Sequence, residues 1–319
     1  MKPRSLNVRI ALILCFCVLA LGAASGQAPA AKKPLSYDAY DGWRSIQGTQ
    51  LSRDGLWLVY ALVPQDGDGE LVARDLGGSR EFRAPRGKQP VITADGRFVV
   101  FTLAPLKADV DKAKKDKKKP EEQPKAGLGI LDLVTGEVKT VDRVKSFKVP
   151  EDSGVALAYL MEPPLKTADD KKAEEKKEEP KKEPENKKPE EKPAVKPGEP
   201  KKEEAKDEKK KEEKKKEPGT DLVVRELATG KETKIPEVVE YAWPKNGAWL
   251  IYGVSSKTPE NDGAFARETS SGRTVTLLKG LGNYKNLTFD EKGGQLAFTS
   301  DRDDYKSDKS ASKLYYWVH

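Results

Sequence analysis

Apolar and polar positions follow one recurring phrase along the chain, a tight turn and then an alternating or continuous apolar run. It is first met as Leu51-Ser52-Arg53-Asp54-Gly55-Leu56-Trp57-Leu58-Val59-Tyr60. It returns as Thr93-Ala94-Asp95-Gly96-Arg97-Phe98-Val99-Val100-Phe101, as Pro150-Glu151-Asp152-Ser153-Gly154-Val155-Ala156-Leu157-Ala158-Tyr159, and as Pro244-Lys245-Asn246-Gly247-Ala248-Trp249-Leu250-Ile251-Tyr252. A looser copy is Asp290-Glu291-Lys292-Gly293-Gly294-Gln295-Leu296-Ala297-Phe298. Asp bonds its own backbone and Gly tolerates positive φ, so the dipeptide predicts a turn and the apolar run a buried strand.

A second phrase follows each first one: strand-like residues, an acid, a Gly turn, then a more polar strand. Its copies are Glu70–Phe82, Gly129–Val141, Leu222–Thr233 and Ala264–Leu277. Each pair of phrases encodes about four short strands, and a period of ~40–45 residues with four strands is that of a propeller blade. Tyr60 to Phe101 spans 41 residues and Tyr252 to Phe298 spans 46. The wider gaps, 58 residues from Phe101 to Tyr159 and 93 from Tyr159 to Tyr252, each hold a charged insert. The fold predicted for residues 37–319 is therefore an all-β, incomplete propeller of four-stranded antiparallel blades, about five of them recognisable. Lys313–His319 reads as the third strand of the fifth blade, and the propeller is expected to continue beyond it, since an open blade exposes an apolar edge.

The inserts explain the charge. The formal net charge is +7. Lys2, Arg4 and Arg9 contribute +3, residues 107–125 another +3 and residues 166–218 a further +2, which leaves the blades with about one negative charge. No basic stripe interleaved with aromatics is present to grip phosphates, so nucleic acid is not an expected partner. The second insert, residues 166–219, is Lys, Glu and Pro at nearly every position, with too few apolar residues to offset chain entropy. It and residues 107–125 are expected to be disordered loops placed between the second and third strands of their blades.

Residues 1–26 have the order of a secretory signal: basic residues to Arg9, an apolar run from Ile10 to about Ala24, then small residues, with cleavage near Gly26/Gln27. An uncleaved anchor is the alternative. Residues 27–36 form a leader, and the aromatics of Tyr37–Ile46 are expected to pack on the body. The expected location is secreted or periplasmic, without stable membrane insertion after cleavage. Both cysteines, Cys15 and Cys17, lie in the signal, so no disulfide is expected in the mature chain.

Chemistry is sparse. The one histidine is His319 and no Gly-x-Ser-x-Gly elbow occurs, so a Ser-His-Asp triad cannot be assembled from this sequence. No Cys/His cluster suits zinc and no Gly-rich loop suits phosphate, and no cofactor or metal is expected. The once-per-blade acids Asp54, Asp95, Asp152, Asp75, Asp132, Glu226 and Glu268 read as turn caps, and Trp57 and Trp249 as blade packing. Thr299-Ser300-Asp301-Arg302-Asp303-Asp304 departs from the repeat, and Asp301, Arg302 and Asp303 are the candidates for a loop facing substrate or a channel.

Residues 43–55, followed by Val63-Pro64-Gln65-Asp66-Gly67-Asp68-Gly69-Glu70 and the phrase ending Ser300-Asp301-Arg302, resemble the N-terminal propeller of secreted bacterial serine peptidases of the prolyl-oligopeptidase (S9) family. TolB-like propellers, with WD40-like repeats, share the blade phrases. The resemblance implies a C-terminal α/β-hydrolase domain as partner, short peptides as substrates, and a gating role for the blades; it assigns no catalytic residue here. A self-standing periplasmic propeller that binds a protein or glycan is the competing reading.

Overall fold

The computed structural model describes residue 40 and residues 42–164, 216–307 and 309–318. The signal (1–26), the leader (27–36) and all but the last few residues of the 166–219 insert lie outside the described residues.

Continuous apolar runs become central strands buried on both faces. In the first blade β1 (Arg44–Leu51), β2 (Trp57–Pro64), β3 (Glu70–Asp75) and β4 (Glu81–Pro85) pair antiparallel in chain order. The second repeats this with β5 (Gly87–Ile92), β6 (Phe98–Leu103), β7 (Gly127–Asp132) and β8 (Val138–Val141). The next two blades form one seven-stranded sheet: β9 (Val144–Lys148), β10 (Ala156–Met161), β11 (Thr220–Glu226), β12 (Glu232–Ala242), β13 (Trp249–Val254), β14 (Gly263–Glu268) and β15 (Thr274–Lys279). β16 (Tyr284–Phe289), β17 (Gln295–Ser300) and β18 (Lys313–Val318) make a three-stranded sheet, with β18 in the third-strand place predicted for it.

The fused sheet departs from the expected separate blades, and β12 is the reason. Its first half pairs with β11 through Arg225↔Glu232 to Thr220↔Val238, and its second half with β13 through Val238↔Val254 to Ala242↔Ile251. One strand is thus the outermost of the third blade and the innermost of the fourth. The bend sits at Glu237, a non-glycine residue at φ 58. Left-handed residues mark the same transition elsewhere, Arg86 at φ 63 between β4 and β5 and Arg143 at φ 57 between β8 and β9.

Blades pack face to face. Val99 and Phe101 meet Trp57, Val59 and Leu71 of the first blade, while Phe98 and Val100, pointing the other way, meet Leu157, Tyr159 and Val223 of the third. Leu160, Leu222, Tyr241, Leu250 and Tyr252 join the third blade to the fourth, and Ile251, Tyr284, Leu296 and Phe298 the fourth to the fifth. Each fully buried Leu or Phe contributes roughly 1.5–3 kcal/mol by transfer from water. Trp57 stacks on Phe82 at 5.6 Å and Trp249 meets Trp317 edge-on at 5.6 Å, so both tryptophans are packing residues.

Two expectations need correcting. Residues Lys107–Lys115 of the first insert form a helix, α1 (Lys107–Lys115), with Ala113 buried. The segment has no proline before Pro120, Asp109 lies in the first turn and Lys112, Lys114 and Lys115 in the last, which complements the helix dipole. The aromatics before β1 are also not buried: Tyr40 and Trp43 are exposed and meet edge-on with ring centroids 4.7 Å apart, and Ile46 is exposed on β1. None of the described helices is long and apolar enough to cross a membrane.

Candidate functional site

Antiparallel order sorts the connections to two ends of the blades. The first-to-second and third-to-fourth strand turns lie at one end, and the second-to-third strand loops with the blade-to-blade linkers at the other.

At the turn end six of the seven repeated acids cap turns, while Asp152 instead accepts Arg53 Nη2 of the first blade at 2.5 Å. Ser52 Oγ donates to Asp54 Oδ1 at 2.5 Å and accepts Trp57 N at 2.9 Å, while Leu56 N donates to Asp54 Oδ1. Thr93, Asp95 and Phe98 repeat the arrangement. Bonds from Ser52 and Leu56 hold the Asp54 carboxyl below its ordinary value. Asp75, Asp132, Glu226 and Glu268 accept bonds from Gly77 N, Val134 N, Thr229 Oγ1 and Ser271 Oγ respectively. Leu76, Leu133, Leu227 and Thr269 each donate their N–H to the carbonyl of the neighbouring turn, at Leu56, Arg97, Val155 and Ala248.

The loop end is held differently. The described residues 65–69, 104–126, 162–164, 216–219, 255–262, 301–307 and 309–312 lie there, the first insert and the two ends of the second among them. Lysines from one loop reach acids of the next: Lys107 Nζ contacts Asp66 and its N–H donates to Asp68 Oδ1 at 3.0 Å, and Lys125 Nζ lies 4.0 Å from Glu162 Oε2. Lys216, at the end of the long insert, pairs with Asp262, whose side chain is fully buried. Lys216 Nζ also donates to Gly282 O at 2.7 Å and lies 5.9 Å from the Tyr305 ring, while Asp262 Oδ1 accepts Ser256 N at 2.7 Å.

The left-handed linker residues anchor these loops. Arg86, Arg143 and Glu237 accept, at their carbonyls, the N–H of Ala104, Glu162 and Ser255, the first residues after β6, β10 and β13. Their side chains grip the same loops: Arg86 donates to Ala104 O at 3.1 Å, Arg143 to Pro163 O at 2.5 Å, and Glu237 accepts Lys257 N at 3.0 Å and Ser256 Oγ at 2.5 Å. Those bonds, from Lys257 and then Ser256, lower the Glu237 carboxyl. The sequence reading missed these three residues. The available signal was the polar residue set among β-formers in Pro85-Arg86-Gly87, Asp142-Arg143-Val144 and Pro236-Glu237-Val238.

Asp301, Arg302 and Asp303 fall at this end, after β17. Asp301 is buried and its carboxylate accepts Asn283 N at 2.7 Å and Asn283 Nδ2 at 2.9 Å, which ties the β15–β16 linker to the last loop. Arg302 donates to Asp303 Oδ1 from Nε and Nη2 and to Lys279 O from Nη1. Asp303 Oδ2 accepts Lys313 Nζ at 3.0 Å and Tyr315 OH at 2.9 Å, and bonds from Lys313, Arg302 and Tyr315 bring its pKa down to about 2. Arg302 and Asp303 line a cavity of about 270 Å³ with Leu281, Tyr305 and Lys306. Among the described residues no three His, Cys, Asp or Glu side chains are grouped to hold a metal ion.

No family model and no curated protein matches the sequence. Among solved structures the chain is similar to the β-propeller domain of the Trilobed protease from Pyrococcus furiosus, at 11% identity and a TM-score of 0.39, over 86% of this chain and 69% of that one. It is similar to an oligogalacturonate lyase in complex with manganese, at 15% identity and a TM-score of 0.43, over 86% of this chain and 62% of that one. It is also similar to prolyl endopeptidase, at 12% identity and a TM-score of 0.42, over 99% of this chain and 40% of that one. The chain thus spans under two thirds of the lyase and less than half of the endopeptidase. Strand order and interblade packing define the propeller blades independently of these likenesses.

Proposed function

We propose that these blades are the substrate-gating propeller of an exported serine peptidase of the prolyl-oligopeptidase family, with catalysis supplied by an α/β-hydrolase domain of the same polypeptide. The resemblance of residues 43–70 and of Ser300-Asp301-Arg302 supports the family. The gating part is carried by one observation: the second-to-third strand loops gather at one end and are joined loop to loop by Lys107, Lys125 and Lys216. The exposed Lys107–Asp66 pair is worth ~1 kcal/mol or less, so that part of the rim opens at small expense, while the buried Lys216–Asp262 pair anchors another part of it. The charged inserts enter at the same rim and would exclude bulky substrates, while Arg302 and Asp303 would offer polar contacts to a peptide backbone. The signal-like order of residues 1–26 supports export.

The test starts at the gene. An in-frame α/β-hydrolase with a Gly-x-Ser-x-Gly elbow downstream of His319 is expected; a stop codon there overturns the reading in favour of a self-standing propeller that binds a protein or glycan. In the full-length protein, excising residues 166–215 should raise kcat/KM for long peptides relative to short ones, and an unchanged ratio would remove the gating role. Purified residues 27–319 alone should hydrolyse no peptide and take up no serine-directed probe.

A further inference from the structure

The groove between the third and fourth blades, at the turn end, breaks the repeat twice in one place. The residue that closes each innermost strand is Leu51, Ile92, Val149 and Phe289 in the other blades, but Trp243 here. Its indole Nε1 is buried and has no hydrogen-bond partner. A buried N–H left unpaired costs roughly 1–3 kcal/mol, a penalty that a ligand acceptor would remove.

The second break concerns an arginine. Arg225 on β11 stands across the ladder from Glu232 and donates to its Oε1 at 2.7 Å. Arg267 occupies the matching place on β14 but stands across from Thr274, and among the described residues no carboxylate pairs with its guanidinium. Trp243 and Arg267 line one cavity of about 250 Å³, together with Lys231, Glu226 and the apolar walls of Val224 and Leu250. Glu226 Oε2 is already held by Thr229 Oγ1 at 2.8 Å. In the matching groove between the second and third blades, Arg97 and Arg225 are both paired, to Asp132 and Glu232.

We propose that the groove between the third and fourth blades binds a small carboxylate, which takes the place that Glu232 holds beside Arg225 and accepts from both the Arg267 guanidinium and the Trp243 indole N–H. A forked guanidinium and a single N–H donor suit the two oxygens of one carboxylate. The volume lies below the ~300–1,000 Å³ of drug-sized pockets, so the ligand has the size of an amino acid derivative or the C-terminal residue of a peptide.

Isothermal titration of the whole chain with N-acetyl amino acids, short peptides with free C-termini, and the amidated form of each tests this. Saturable binding of the acids is expected, weakened about tenfold or more by amidation. Binding of free-ended peptides without the N-acetyl amino acids would assign the site to peptide C-termini; binding of both, to small acids in general. Arg267→Gln should weaken binding to the same degree. Thr274→Glu, which restores the missing carboxylate at an exposed strand position, should abolish it while the thermal midpoint is kept. The indole resonance that disappears in Trp243→Phe should shift on adding acid. Equal binding of acids and amides, no saturable heat from any compound, or wild-type affinity in Thr274→Glu would overturn the proposal.

Discussion

At the turn end most acids bond groups a few residues away, as Asp54 does with Leu56 N and Asp290 with Gln295 N, with Asp152 reaching Arg53 of another blade; at the loop end the firmest bond joins two blades, Asp262 to Lys216. Turn-end spacing is therefore nearly invariant from blade to blade, while loop-end length ranges from a few residues to more than fifty. Local bonds fix a turn wherever its sequence occurs. Bonds between loops form only after neighbouring blades have packed, which frees the loops to vary between their anchor points.

The sharpest way to break this contrast is Asp262→Ala. It strands Lys216 in a largely dry site, and removing one member of a buried pair destabilises by about 3–5 kcal/mol, which urea unfolding would read. A loss under 1 kcal/mol would show that the loop end is held no more firmly than a surface. At the turn end, Thr93→Val leaves Phe98 N without its 3.0 Å partner and should lose about 1–3 kcal/mol. Gly55→Ala tests backbone alone: φ is 72 and nothing lies within 4 Å of the added carbon, so a loss of about 1–2 kcal/mol is expected from the left-handed conformation. Any larger loss would point to contacts not accounted for by the turn.

The smallest effect is acid loosening of the Asp301–Asp303 loop. Asp303 is depressed from 3.8 to about 2, so its bonds to Lys313, Arg302 and Tyr315 act fully above the ordinary value and fade as pH falls through about 2. The Tyr315 and Lys313 resonances should move in that window and stay still in Asp303→Asn.

Legibility in the sequence follows the same division. Phe98-Val99-Val100-Phe101 announced a strand buried on both faces, and the structure divides those four side chains between two interfaces. Asp54, Asp75, Asp95, Asp132, Glu226 and Glu268 read correctly as caps because their partners sit two to five residues away, whereas the same reading fails at Asp152, whose partner, Arg53, lies 99 residues earlier. Lys216 could not be distinguished from the nineteen other lysines of its insert, since its partners Asp262 and Gly282 lie 46 and 66 residues further on. Val110 and Ala113, three residues apart, are among the few apolar residues of the lysine-rich stretch that forms α1, and Ala113 is the buried residue of that helix. The Trp243–Arg267 groove was hidden in the same way, because its distinctiveness lies in Thr274 standing where the preceding blade has Glu232.

β12 also bears on how the protein opens. A strand that ends one sheet and begins the next cannot leave the first and stay in the second, so β9 to β15 should unfold as one unit with closely similar amide exchange rates. The first two blades meet across the single residue Arg86 and have separate ladders, so they can open one at a time. Slow exchange shared across the third and fourth blades, beside graded exchange in the first and second, would make β12 the seam about which cooperativity in this propeller is arranged.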